Sequence, residues 1–99
     1  MALTHWGFIY VADGCDPARD ITVNDTGTCR TVLVGVSRPD QAPPVAARLA
    51  ADGAQLIELC GAFGPTWTAR VIEELDGRVP VGTVTYGPEA TNALHALFA

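Results

Sequence analysis

An apolar strand, a glycine turn and a Gly-Pro pair opening a helix occur twice in the second half of this 99-residue chain. The first occurrence runs Leu56-Ile57-Glu58-Leu59-Cys60-Gly61, through Phe63, into Gly64-Pro65-Thr66. The second runs Val79-Pro80-Val81-Gly82-Thr83-Val84-Thr85-Tyr86 into Gly87-Pro88-Glu89. A strand that feeds a helix needs a crossover to return, which predicts a largely parallel sheet with right-handed connections. The mouths of such turns gather backbone N–H groups and the positive end of a helix, so a ligand is expected there. Superposing the two Gly-Pro pairs also aligns Thr68 with Thr91 and Val71 with Leu94, as two βα units of one geometry would.

The rest of the chain fits the same plan. Trp6–Ala12 is a continuous apolar run of the kind buried on both faces of a sheet. Cys29–Val36 is rich in β-branched residues and predicts the second strand. Asp25-Thr26-Gly27-Thr28 reads as a turn, and Ile21-Thr22-Val23 as a short edge strand hairpinned onto that second strand. A helix over Asp40–Asp52 is capped by Asp40 or Ser37 and stopped by Gly53. Ala54–Cys60 is strand three, Pro65–Asp76 a helix with Trp67, Val71 and Leu75 on one face, and Val79–Tyr86 strand four. A last helix from Pro88 to the C-terminus buries Ala90, Leu94 and Phe98. The expected fold is one small α/β domain over residues 1–99, with a mostly parallel four-stranded sheet in the order β-β-α-β-α-β-α.

Composition narrows the function. Apolar residues make up 48% of the chain and charged ones 17%, which fits a folded globule and leaves apolar surface to spare in so short a chain. Self-association is therefore expected, with a homodimer as the default. A net charge of −5 with no basic cluster argues against nucleic acid or a membrane surface as partner. All six basic residues are arginine, so Schiff-base, pyridoxal-phosphate and P-loop lysine chemistry are excluded. Cys15, Cys29 and Cys60 lack the spacing of a zinc ribbon or a disulfide framework. Neither a signal peptide nor a membrane-length apolar run is evident, and a cytoplasmic protein with reduced thiols is expected. No cofactor and no resident metal is expected; a site of His5, Glu58 and Cys60 would need the chain end to fold back or a neighbouring subunit to supply His5.

Glu58 is the most informative single residue. Alternation along strand three places Ala54, Leu56, Glu58 and Cys60 on one face. A carboxylate in an apolar strand is either paired, by Arg30, Arg38 or an arginine across an interface, or held in a pocket as an acid or base. Cys60 lies near the C-terminal end of the strand, before a helix start, where a thiolate is favoured; it also suits the role of a small buried hydrophobe. Glu58 and Cys60 are thus the catalytic candidates. Around them the expected ligand-binding residues are Cys15, Arg38, Gly61, Gly64, Thr66, Tyr86, Gly87 and Glu89. Arg38 suits a carboxylate or phosphate through its planar fork, and with Pro39 and Asp40 after it equally suits a solvated loop; the glycines also have a purely conformational role.

Two resemblances attach to these motifs. The segments WGFIYVADGCDPARD, DTGTCRTVLVGV, GAQLIELCGAFGP and VPVGTVTYGPEA resemble a family of short bacterial proteins of unknown function over nearly the full length. Separately, Cys60-Gly61 through Pro80-Val81 is similar to the cysteine-bearing βα unit of the aspartate/glutamate racemase and arylmalonate decarboxylase group. That likeness implies Cys60 as proton carrier, with the turn amides from Gly61 to Thr66 holding a substrate carboxylate. Gly61 stands where that group has threonine, and the second half-domain is missing. The expectation is a homo-oligomer binding a small carbonyl or carboxylate metabolite at the C-terminal strand edge, with Glu58 and Cys60 transferring a proton. The alternative is a non-catalytic module that binds a small anion or a protein through the same rim.

Overall fold

The structure, a computed structural model, describes residues 2–99. Five strands form one sheet: β1 His5–Val11, β2 Ile21–Asp25, β3 Arg30–Val36, β4 Ile57–Leu59 and β5 Val81–Thr83. Their spatial order is β2-β3-β1-β4-β5, with β2 antiparallel to β3 and every other pairing parallel. The helices are α1 Ala42–Ala51, α2 Gly64–Leu75 and α3 Thr91–Phe98, with 3-10 turns at Pro39–Gln41 and Pro88–Ala90.

The α/β class and the parallel crossovers stand; the strand count rises from four to five. The added strand is the Ile21–Val23 hairpin arm, extended to Asp25. Its turn is closed by the Gly27 amide donating to the Asp25 carboxylate at 2.9 Å, with Gly27 at φ +89°. Both later strands are shorter than Ala54–Cys60 and Val79–Tyr86. Ladder pairing between β4 and β5 covers only Ile57↔Val81 to Leu59↔Thr83, and Pro80 before β5 has no N–H to extend it.

Alternation along the strands sorts the core. Ile9, Val32, Val34, Val36, Ile57 and Leu59 point to one side and pack with Ala42, Val45, Ala46 and Leu49 of α1 and Val71 and Leu75 of α2. Gly7 lets α1 come close: a Cβ there would lie 2.8 Å from Leu49 Cδ1. Ala54 joins this core, so the expected face shared by Ala54, Leu56, Glu58 and Cys60 breaks down ahead of the true strand.

The first helix begins later than Asp40. The Gln41 carboxamide oxygen accepts from the amides of Ser37 at 2.8 Å and Arg38 at 3.2 Å, which winds Pro39–Gln41 into a 3-10 turn before α1. In α2, Val71 and Leu75 are buried, Trp67 is half-buried with the Arg70 guanidinium 5.1 Å from its ring centre, and Asp76 and Gly77 end the helix at positive φ.

Two expectations fail together. Trp6, Phe8 and Tyr10 are half-buried on the side of the sheet away from α1 and α2, so β1 is not covered on both faces. The last helix buries nothing fully either: Leu94 is half-buried, Leu97 is 75% exposed and Phe98 is 83% exposed. Helix α3 packs chiefly on its own lead-in turn.

Neighbouring positions of α2 give a direct check on this layering. Leu75→Ala, at a position with no exposure, is expected to cost about 2–5 kcal/mol in urea unfolding. Ile72→Ala, at a position 49% exposed, is expected to cost less than about 1 kcal/mol.

Candidate functional site

The loops at the carboxyl end of the sheet set out in opposite directions. The chain leaving β1 turns towards β2 and β3, whereas the chain leaving β4 enters α2 and goes on to β5. The seam between β1 and β4 is thus a topological switch point, the place where open α/β sheets hold ligands. Cys60 occupies it. Its amide donates to the Ile9 carbonyl at 3.0 Å, and its Sγ accepts from the Val11 amide at 3.4 Å. The thiol is therefore tied to the seam, partly packed against the helix-side core, and does not share Glu58's face.

Beside Cys60, two adjoining clefts occupy the gap between the β4–α2 turn and the β5–α3 turn. One, of about 440 Å3, is lined by Gly61, Ala62, Tyr86, Leu94 and Phe98. The other, of about 330 Å3, shares Gly61, Tyr86 and Leu94 and extends to Gly64, Pro65 and Thr83 to Thr85. Together they make one trough. The Tyr86 ring lies against Gly61, where a Cβ would come within 3.2 Å of Tyr86 Cε2 and 3.3 Å of the Val84 carbonyl oxygen. Gly61 is glycine because a second chain segment crosses it.

The two Gly-Pro units differ where the trough meets them, which corrects the expectation of one shared geometry. Gly64 has φ +67° and α2 starts on it, whereas Gly87 is extended at φ −72° and leads into a 3-10 turn. The first turn of α2 carries no acid, so its positive end is free for an anion. At the second unit the Glu89 carboxylate folds back over Gly87 and already occupies the equivalent position.

Of the expected site residues, Gly61, Gly64 and Tyr86 line the trough, and Thr66 is exposed in the first turn of α2 beside it. Gly87 and Glu89 follow Tyr86 in the chain but line neither cleft. Arg38 is elsewhere: it pairs with Asp40 at 3.0 Å and borders a separate cleft of about 360 Å3 with Arg48 and Pro17. Glu58 stands on the open face of the sheet, beside Phe8 and next to Gly82, whose missing side chain leaves room for it. Among the described residues it has no ion pair; Arg30 lies 3.9 Å from Asp25 and Arg38 is held by Asp40. His5 lies near Gly53 at the opposite end of the sheet from Cys60, so His5, Glu58 and Cys60 do not come together. No group of three His, Cys, Asp or Glu side chains suited to a metal occurs among the described residues.

Cys15 has a different neighbour from the one expected. Its sulfur and the Tyr10 hydroxyl converge over Gly35, where a Cβ would approach them to 2.7 and 2.9 Å. The loop that carries Cys15 is knotted by its own hydrogen bonds: Asp20 accepts from the Asp16 amide at 2.7 Å and from Arg19 at 2.8 Å, and Arg19 reaches the Gly14 carbonyl at 2.8 Å. Arg19 and the Asp16 amide hold the Asp20 carboxyl below its ordinary range. Burial, then the nearby Cys15 and Asp20, push the Tyr10 hydroxyl up. Tyr10 escaped the sequence reading because it sits inside an apolar run; Leu94 and Phe98 escaped it because they read as core.

These features define a small α/β domain with a mostly parallel sheet, layered by helices on one side, and a candidate site along its C-terminal rim. The chain belongs to a family of unknown function (DUF6506), the match running over residues 4–99. No curated protein and no solved structure matches it. Among the described residues, no helix is long and apolar enough to cross a membrane.

Tyr10 offers a probe of this rim. In a Tyr86→Phe background, ultraviolet titration is expected to show the remaining tyrosine ionising above the ordinary value of about 10. The unfolded chain then loses that proton first. The resulting stabilisation is complete below about pH 10 and is lost as the pH rises through the raised value. Ionisation at or below the ordinary value contradicts the burial of Tyr10.

Proposed function

We propose that the rim binds a small carbonyl- or carboxylate-bearing metabolite in the trough between the β4–α2 and β5–α3 turns. The observation that supports this most directly is the trough itself, which begins next to the Cys60 seam and runs to the acid-free start of α2. The ligand's carboxylate faces the Gly61–Thr66 turn and the positive end of α2, where oriented N–H groups favour negative charge. The Tyr86 hydroxyl supplies a directional hydrogen bond to a carbonyl or hydroxyl oxygen. Leu94 and Phe98 take the apolar remainder, so the site suits a compact anion with a hydrocarbon part.

A second reading adds proton transfer of the isomerase or lyase type, with Cys60 as the proton carrier at the trough and Glu58 acting from the open face of the sheet. It is favoured by the position of Cys60 at the switch point and by a half-buried Glu58 carboxylate that no arginine of the described chain neutralises. Without that chemistry, the same trough serves a binding module.

A thermal-shift series with small 2-oxo acids, 2-hydroxy acids and dicarboxylates tests the binding. At least one class is expected to raise Tm. Gly61→Val is expected to abolish that rise by filling the trough, and Tyr86→Phe to weaken affinity by roughly 3- to 10-fold, the worth of about one hydrogen bond. No shift with any class, or a shift untouched by Gly61→Val, overturns the site. Cys60→Ala and Glu58→Gln then separate the two readings. An enzyme keeps binding and loses turnover in both variants, while a binding module shows no turnover to lose.

A further inference from the structure

We infer that the open face of the sheet is the surface on which a second copy of this chain packs, related to the first by a two-fold axis. This inference does not depend on what occupies the rim. It starts from a mismatch between sequence and layering. Parallel strands are stable in sheets covered on both faces, and β1 has the unbroken apolar sequence of such a strand. Yet α1 and α2 lie on one side only; on the other, the Cys15 loop reaches the face over Gly35 beside Tyr10, and Trp6, Phe8 and Leu33 stay half-buried.

The uncovered face has the make-up of an interface core. One row crosses all five strands, Thr22–Leu33–Phe8–Glu58–Gly82, with Asn24–Thr31–Trp6 on one side of it and Tyr10–Gly35 on the other. Trp6 and Phe8 meet edge to face, with ring centres 6.5 Å apart. Three of the chain's seven aromatic residues stand here against a single carboxylate, the aromatic-rich and charge-poor composition that marks the centre of protein interfaces.

The geometry favours a like partner. β1 is the middle strand of five and Phe8 its middle residue, so a two-fold axis at Phe8 brings the two faces into register about one aromatic anchor. The two Glu58 carboxylates then fall on opposite sides of the axis. With that axis parallel to the strands they stand roughly 10 Å apart across the strands, both side chains projecting into the gap between the sheets. Gly82 leaves each of them a route to water at the margin. Five strands of average length five residues present roughly 400 Å2 in projection. That is about half the roughly 800 Å2 per partner of a standard stable interface, the size of a weak, concentration-dependent dimer.

Sedimentation equilibrium of the full chain tests this. The expected result is a dimer at concentrations on the order of 100 µM, corresponding to a micromolar Kd. Phe8→Glu sets two new charges against each other at the axis and is expected to weaken association by roughly 100-fold or more, with an unchanged circular-dichroism spectrum. Ile72→Glu, on the exposed side of α2, is expected to leave the dimer intact. If Phe8→Glu fails to fold, hydroxyl-radical footprinting of the unaltered chain decides: Trp6, Phe8 and Tyr10 should gain protection as concentration rises. A wild-type monomer at that concentration, a folded Phe8→Glu dimer of unchanged affinity, or footprints independent of concentration overturns the inference.

Discussion

The close packing of Leu49 against Gly7 governs the arrangement of this molecule, because it fixes which side of the central strand faces the helices. With no side chain at Gly7, α1 settles on β1, and alternation then sends Ile9 into the core and Trp6, Phe8 and Tyr10 to the other side. β3 and β4 both pair with β1 in parallel, so their own alternation is set by the same choice. Val32, Val34, Ile57 and Leu59 follow Ile9 inward; Leu33 and Glu58 follow Phe8 outward. A domain of this size gains its stability from that single layer of contacts.

The same constraint separates the chemistry into two places. Residues at the carboxyl ends of the strands escape the alternation and gather at the rim, where Cys60, Gly61 and Tyr86 lie within one run of turns. Glu58, one residue inside the strand, stays on the open face. A carboxylate and a thiol two residues apart in sequence thus look onto different surroundings, and the trough adjoins the Cys60 end of β4 rather than Glu58.

The parallel α/β plan, the turns and the trough between them were legible because each rests on local chemistry. Gly-Pro pairs open helices, Asp25–Thr28 makes a turn, and Val71 and Leu75 repeat at helical spacing. What was not legible depends on what lies across the sheet. Trp6 to Tyr10 has the sequence of a strand buried on both faces, and no local signal says that the second cover is absent. Leu94 and Phe98 have the spacing of a buried stripe, but in the structure they border the trough beside Gly61 and Tyr86, with Leu94 half-buried and Phe98 exposed. The two Gly-Pro units read alike yet differ in backbone, because Glu89 folds over Gly87 while nothing of the kind follows Gly64. Arg38 read as a rim ligand, but an aspartate two residues on captures it first.

Tyr10 is where the open face and the rim meet. Its ring belongs to the apolar surface beside Phe8, and its hydroxyl sits with the Cys15 sulfur over Gly35 at the carboxyl edge of the sheet. Covering the sheet therefore removes water from one side of the same residue that borders the rim on the other. Burial already holds the Tyr10 proton more firmly than in water, and a second layer strengthens that hold. Gly35 is what allows the arrangement, since any side chain there displaces both the ring and the thiol. A change at Gly35 thus acts on the cover and on the rim at once, whereas changes at Phe8 or Gly61 act on one alone.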